Sequence, residues 1–487
     1  MPGRRESTEQ TEITKRAEKK RKLFRMFRYF RMFRTLSLLI YSLLLTLTPC
    51  SITGAQQQIA KQPRRHSMRE INKVARPEGG QPIAIIGATL IDGRGGAAIS
   101  DSAVVVRDGR IVAAGKRNST PAPQGAEVID ASGWSLLPGF IDSHFHIDGD
   151  DALPALFLTH GVTSARDPGQ WIEAYDAAQK SGAPIPRLFL AGPHLDMPPP
   201  AYPADSFIVR DAEETRAAVN RFIDQGASVI KVYFRLPLGL IKVVTETAHA
   251  RGVPVTAHLE IVDAMDAIRA GVDGVEHVTS FGPSLAPLRE AEKYRQAVIA
   301  DNNARRDGRY KMWSEIDLEA PRVKQALDLI VKRGVFVSAT LAVFERREGD
   351  RNATETHARG FKNMLRFVGM AKRAGARVVV GSHSSVPHAE RGWAYHREIE
   401  LFVESGMTPM EAIVAATMEN ARFFRIDDRL GSVEAGKLAD LVLVEGDPLK
   451  EIGALRRIKR VMLNGKWITT APHQNKAQPR GARGTRG

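Results

Sequence analysis

The chain changes texture several times along its length. Residues 1–34 are polar and basic, 36–47 form an apolar run, and 56–80 are polar again. From Pro82 the apolar residues come in short bursts. Residues 83–92, 103–115 and 127–130 read as strands, because Val, Ile and Ala crowd between turn signals at 93–96, Asp108-Gly109 and 121–125. The same texture returns in 437–444 and 460–468. A β layer made from both ends of the chain therefore brackets whatever lies between.

Between these ends, apolar runs at 136–140, 162–165, 188–191, 229–234, 253–257, 274–278, 335–340 and 378–381 alternate with helical patterns such as 213–225, 261–270 and 323–333. Runs without polar alternation suit parallel strands covered on both faces. Eight such runs, spread over about 250 residues, predict an α/β fold: a (β/α)8 TIM barrel with a composite β-sandwich domain. The expected boundaries are 1–55 for a signal peptide or N-terminal anchor, 56–80 for a linker, 81–135 and 425–470 for the sandwich, 136–424 for the barrel and 471–487 for a disordered basic tail. Residues 283–315, polar and basic in their second half, are an insertion after the sixth run, expected as a lid over the barrel mouth.

Charge and cysteine content narrow the class. An apolar share of 43% excludes an intrinsically disordered chain. The net charge of +15 suggests nucleic acid until it is located: residues 1–34, 56–76 and 471–487 carry +8, +5 and +4, leaving the body near neutral. Binding to polyanions through the tails ranks last, and no specific nucleic-acid partner is expected. One Cys excludes a disulfide framework and a Cys-rich metal site. The basic leader, short apolar core and Thr53-Gly54-Ala55 make a signal-peptide layout, with cleavage after Ala55. The core is shorter than the about 20 residues of a membrane span. Export, periplasmic or secreted, is the leading expectation. An uncleaved membrane anchor and lipidation of Cys50 are the alternatives.

The candidate chemistry lies in histidines where strands end, the place barrels use for catalysis. His144 and His146 are alternate residues of an extended segment and so share a face, as two ligands of one metal require. His258, His277 and His383 follow the fifth, sixth and eighth runs. Lys231 lies inside an apolar run, where a cation is costly unless paired or neutralised. It is either a metal-bridging lysine or one that snorkels to the strand end.

The segments Gly87-Ala88-Thr89-Leu90-Ile91-Asp92-Gly93, Leu137-Pro138-Gly139-Phe140-Ile141-Asp142-Ser143-His144-Phe145-His146, Val275-Glu276-His277 and Gly431-Ser432-Val433-Glu434-Ala435-Gly436-Lys437-Leu438-Ala439-Asp440, in this order, resemble the amidohydrolase superfamily. The resemblance covers nearly all of residues 82–470. It is closest to the imidazolonepropionase-like and Xaa-Pro dipeptidase-like branch, which carries a lysine on strand four. It implies a metal-dependent hydrolase of carbon–nitrogen bonds (amide, cyclic amide or dipeptide) working through a metal-activated hydroxide. It further implies two divalent ions, with zinc first among the candidates. Lys231 would be carboxylated and bridge the ions, His144 and His146 would hold the first, and His258 and His277 the second. A small-molecule substrate and a homo-oligomer fit the same reading.

One departure stands out. Where the family has an Asp that ligates metal and handles the proton of water, this chain has His383, in Gly381-Ser382-His383-Ser384. Three outcomes stay open: His383 replaces the Asp as ligand and base, one metal is held with altered chemistry, or binding persists without catalysis. Asp148, Asp150 and Asp151 are substitute carboxylates or solvated loop residues. Arg166, Tyr233, His194 and His388 are the substrate-binding candidates; for Arg166 a structural ion pair is the equal alternative.

Overall fold

Two β-hairpin turns show how the outer strands form. In the computed structural model, which describes residues 66–469 except 73 and 76, strands Ser102–Arg107 and Arg110–Lys116 meet at Asp108-Gly109, with φ of 49° and 72°. Strands Ile458–Leu463 and Lys466–Ile468 meet at Asn464-Gly465, with φ of 53° and 81°. Two consecutive positive-φ residues give the turn whose twist matches that of the flanking strands.

Ser102–Arg107 and Arg110–Lys116 join Ile83–Ile86 and Glu127–Asp130 in a four-stranded sheet. A five-stranded sheet takes strands from both chain ends, in the order Lys466–Ile468, Ile458–Leu463, Leu441–Glu445, Trp134–Pro138 and Thr89–Leu90. Ile85 and Val104 of the first sheet and Leu136, Leu441, Leu443 and Met462 of the second belong to one buried cluster.

The remainder is built on eight parallel strands with helices between them: β1 (Phe140–Asp142), β2 (Val162–Asp167), β3 (Arg187–Leu190), β4 (Ile230–Val232), β5 (Val255–His258), β6 (Gly274–Glu276), β7 (Phe336–Ser338) and β8 (Arg377–Val379). β1 to β3 form one sheet, and β4 to β8 another, which continues through His194–Asp196 and Ser206–Ile208. Hydrogen bonds tie the two seams. The Ser228 N–H donates to Leu190 O beside β3, and the Ser143 N–H donates to Val380 O beyond β8. The fold is mixed α/β, as expected.

The helices carry the local signals that start and stop them. Ala212–Gln225 begins at Asp211, whose carboxylate accepts the Glu213 and Glu214 N–H groups, and ends at Gly226 with φ 107°.

Three sequence expectations change. The run 136–140 is two strands rather than one. Trp134–Pro138 pairs antiparallel with Leu441–Glu445, whereas β1 pairs parallel with β2. Gly139 lies between them, and a Cβ there would run into the Thr163 side chain, so the position takes glycine. The described part of the supposed linker packs onto the body. Met68 is buried with Phe189 and Phe424, and Asn72 bonds Pro186 O and the Leu188 N–H. The 283–315 insertion is a packed helical block, including Leu288–Ala300 and Arg305–Glu315, with Trp313 in the main core. Residues 1–65 and 470–487, and with them the leader and the tail, lie outside the described residues. Among the described residues no helix is long and apolar enough to cross a membrane.

Arg187 at the start of β3 is clamped to Asp440 through Nε at 2.9 Å and Nη2 at 3.2 Å, with side chains 4% and 1% exposed. Asp440 also accepts the Asn464 N–H and so anchors the C-terminal hairpin. Replacing Asp440 by Ala leaves the buried guanidinium with Glu70 alone, 3.1 Å from Nη1, and is expected to cost up to about 3–5 kcal/mol of stability, measured by urea unfolding. An Arg187→Met, Asp440→Leu double variant should recover part of that loss.

Candidate metal centre

The site assembles where β1, β5, β6 and β8 end. Asp142, the last residue of β1, accepts the His144 N–H at 3.0 Å and the Ser382 N–H at 2.9 Å on one carboxylate oxygen. This locks the start of the His144-Phe145-His146 segment to the loop beyond β8. The alternation then works as the sequence predicts: His144 Nε2 and His146 Nε2 stand 3.1 Å apart.

Each of four imidazoles has one nitrogen held by a neighbour. His144 Nδ1 meets Glu276 Oε2 at 2.8 Å, and His146 Nδ1 meets Asp167 Oδ1 at 3.1 Å. His258 Nε2 meets Glu260 Oε1 at 3.0 Å, and His277 Nδ1 meets Thr340 Oγ1 at 2.7 Å. A carboxylate on one ring nitrogen fixes the tautomer and leaves the other lone pair free, the arrangement of metal-ligating histidines. His258 Nδ1 is buried with no partner among the described residues. The His258 and His277 rings lie 4.4 Å apart, and His277 lies 4.6 Å from His144, so the four form a continuous run.

His383 joins from β8. Its N–H donates to His144 O at 2.6 Å, and its ring stacks on that of His144 at 5.3 Å. Ligand nitrogens of His144, His146 and His383 all lie within 4.8 Å of one another. The backbone is strained here: His277, Thr340, His383 and Ser384 have φ of 64°, 47°, 56° and 59°. Such conformations in residues with side chains persist where surrounding contacts enforce them. Ser384 Oγ accepts the His146 N–H, and Glu398 accepts the N–H groups of Leu341 and Ala342 directly after Thr340.

The electrostatics favour neutral nitrogen ligands. Burial pushes His383 down to about 3 and His258 down to about 4, and it holds His144 and His277 well below the ordinary imidazole value. His146 differs: burial opposes its charge, yet the Asp167 carboxylate raises it to about 8. Lys231 lies on β4, 3% exposed, and burial pushes its ammonium down to about 8 against the pull of Glu276. The orphaned buried Nδ1 of His258 and the neutral imidazoles of His144, His258, His277 and His383 fit a divalent cation, which would displace the proton that Asp167 favours on His146.

Two sequence candidates belong beside this cluster. His194 bonds Ser206 Oγ at 2.8 Å through Nε2, and its ring is 4.1 Å from Tyr233. The Tyr233 ring in turn lies 4.7 Å from His258. Two are placed differently. Arg166, a substrate-binding candidate from sequence, is fully buried. It donates to Ser143 O at 2.6 Å and pairs with Glu276 at 2.5 Å, which braces the His144 segment, while its Nη1 is buried with no partner among the described residues. His388 pairs with Asp350 at 2.8 Å in a larger cavity outside the histidine group. Of the substitute carboxylates, Asp150 is engaged by Arg391. Sequence reasoning missed Glu276, Glu260 and Thr340 as ligand-orienting groups. The carboxylates one and two positions from His277 and His258 were the available signal.

The profile of the amidohydrolase family matches residues 135–468. The chain is 36% identical over 216 residues to an N-acyl-D-aspartate deacylase of Alcaligenes xylosoxydans xylosoxydans, a match covering 42% of this chain and 38% of the deacylase. It is 24% identical to an adenine deaminase of Leuconostoc mesenteroides, over 75% of this chain and 57% of the deaminase. It thus spans well under two thirds of both these relatives. A crystal structure of a Xaa-Pro dipeptidase with bound methionine superposes with a TM-score of 0.63 at 23% identity, covering 80% of this chain and 99% of that one.

The Glu276 contact yields a direct expectation. Glu276→Gln should weaken zinc binding by about 10–100-fold, since orienting carboxylates contribute on that scale. Competition against a chromophoric chelator measures it, with circular dichroism as the check on folding.

Proposed function

From this chain's membership of the amidohydrolase family, we propose that it is a metal-dependent hydrolase of carbon–nitrogen bonds in amides, cyclic amides or dipeptides. The observation that carries the reading is the set of histidines, each fixed through one nitrogen and turned inward with the other. The names of the matched relatives, a deacylase, a deaminase and a dipeptidase, support bond cleavage of this class. The reading includes closure of β1 to β8 into a (β/α)8 barrel, with the two outer sheets as a composite sandwich; the seam hydrogen bonds and the shared apolar cluster support it. Export directed by residues 1–55, or anchoring through them, and a homo-oligomeric state belong to the same proposal.

In this reading His144, His146 and His383 hold one divalent ion and His258 and His277 a second. Zinc suits imidazole, as do manganese, iron and cobalt. A bound divalent ion supplies a water of lowered pKa and polarises the carbonyl under attack. The protein supplies the rest. Asp167 and Glu276 fix His146 and His144 in place, and Glu260 and Thr340 do the same for His258 and His277. His383 replaces the family's Asp as a ligand without bringing negative charge. Burial keeps its single acceptor nitrogen unprotonated at ordinary pH, so it would serve either as a ligand or, not bound to an ion, as the base for the attacking water. Lys231, which burial makes easier to deprotonate, is suited to take up carbon dioxide as a carbamate with release of a proton to solvent, and that carboxylate would serve as a further ligand at the site.

A second reading rests on His383 itself. The compact group His144, His146 and His383 suits a mononuclear site, in a protein that binds its ligand with altered chemistry or none.

Metal analysis of protein purified without chelators separates the two: two ions per chain are expected for the binuclear hydrolase and one for the alternative. His146→Ala should abolish hydrolysis across an amide and dipeptide panel while leaving the melting curve intact; retained turnover would refute the mechanism. Labelled bicarbonate should give a carbamate carbon signal in the wild type that Lys231→Ala lacks.

A further inference from the structure

The cavity that His388 lines, at the C-terminal ends of the strands, has a volume of about 810 Å3. Two separate parts of the chain line it with cations. Arg305, Arg306 and Arg309 come from the inserted helix Arg305–Glu315, and Arg346 and Arg351 from the segment after β7. Five arginines thus line one space. Its two carboxylates are already committed or turned away. Asp350 accepts from His388 and from the Arg347 N–H, while the Asp307 side chain is 92% exposed beside His357. The wall therefore carries a positive surplus.

This is a built feature of the fold. Arg305 and Arg309 are 3% and 9% exposed. Arg305 is fixed by Asn302 O and the Tyr202 hydroxyl, and Arg309 by Arg305 O. The cavity also adjoins the proposed reaction centre. Arg309 Nη2 lies 3.5 Å from Glu260 Oε1, the same oxygen that meets His258. Phe344, another wall residue, stands edge-on to His277 at 5.7 Å. Guanidiniums gathered in a partly desolvated space repel one another unless an anion sits among them. Planar forks from different directions suit oxygens that accept two hydrogen bonds each.

We infer that this cavity binds the charged end of the substrate, and that this end is a dianion, either two carboxylates or one phosphate, held among Arg306, Arg309, Arg346 and Arg351. The inference rests on the hydrolase reading and extends it. The scissile bond lies on the histidine side of Phe344, and the charged group on the far side. The inserted helix is then a specificity element, not only a cover.

The test is calorimetric binding of four probes to the zinc-loaded full chain: N-acetylalaninamide, N-acetylalanine, N-acetylglutamate and N-acetylphosphoserinamide. At least one dianion is expected to bind about tenfold or more tighter than the neutral amide, with the gap shrinking as salt is raised. The dicarboxylate and phosphate arms tell the two sources apart. Arg306 and Arg351 are exposed, so an Arg306→Gln, Arg351→Gln double variant should fold, checked by its melting curve, and should lose most of that preference. Affinity independent of probe charge, a preference unchanged in the double variant, or no binding of any probe at millimolar concentration overturns the inference. Hydrolysis of neutral amides as fast as dianionic ones also overturns it and leaves the hydrolase reading standing. Tight dianion binding with no turnover of any amide does the reverse.

Discussion

The site depends on one buried carboxylate. Glu276, fully buried at the end of β6, takes Arg166 from β2 on one oxygen and His144 from the segment after β1 on the other. Burial works against its charge, but Arg166 and Lys231 hold its carboxyl below the usual range. The anion is therefore kept where water cannot reach it, and it sets the tautomer of the first histidine. Arg166 also donates to Ser143 O, so the same triad fixes the backbone from which His144 springs. A buried ion pair seldom adds net stability over a well-packed apolar substitute. Here it supplies orientation, and the orientation of His144 decides where His146, His277 and His383 converge.

The remaining histidines follow the same plan with different partners. Asp167 accepts the Tyr175 hydroxyl at 2.8 Å on the oxygen opposite His146. Glu260 serves His258 and Tyr294 and approaches Arg309. Thr340, strained at φ 47°, holds His277, while Glu398 on a later helix pins the next two amides. Rigid side-chain placement thus comes from several strands and from the insertion. A site built this way tolerates the exchange of one ligand type better than the loss of any support.

Much of this was legible in the sequence because it follows from local rules. Alternation in His144-Phe145-His146 gave two nitrogens on one face, and strand-end histidines marked the same edge of the fold. The first hairpin turn announced itself through Asp108-Gly109, whereas 460–468 read as one run although Asn464-Gly465 divides it. Illegible were facts that depend on distant partners. Nothing near Arg166 says that its guanidinium meets a carboxylate on β6 rather than a substrate. Trp134–Pro138 and β1 read as one run because the need for glycine at 139 comes from Thr163, across the fold. The basic second half of the insertion read as a lid; the burial of Arg305 and Arg309 arises from packing with Tyr202, Phe234 and Phe344.

The five-stranded sheet has a consequence for the order of assembly. Trp134–Pro138 is made early and finds its antiparallel neighbour Leu441–Glu445 about three hundred residues later in synthesis. Pairings so remote in sequence are slow to form, because a long loop must close before any contact rewards it. Until then the strand that leads into His144 has an open edge. The Arg187 and Asp440 partners likewise meet only when the last strands arrive. The ligand segment therefore acquires its final footing at the end of translation or later, and loss of the C-terminal hairpin would be felt at the histidines.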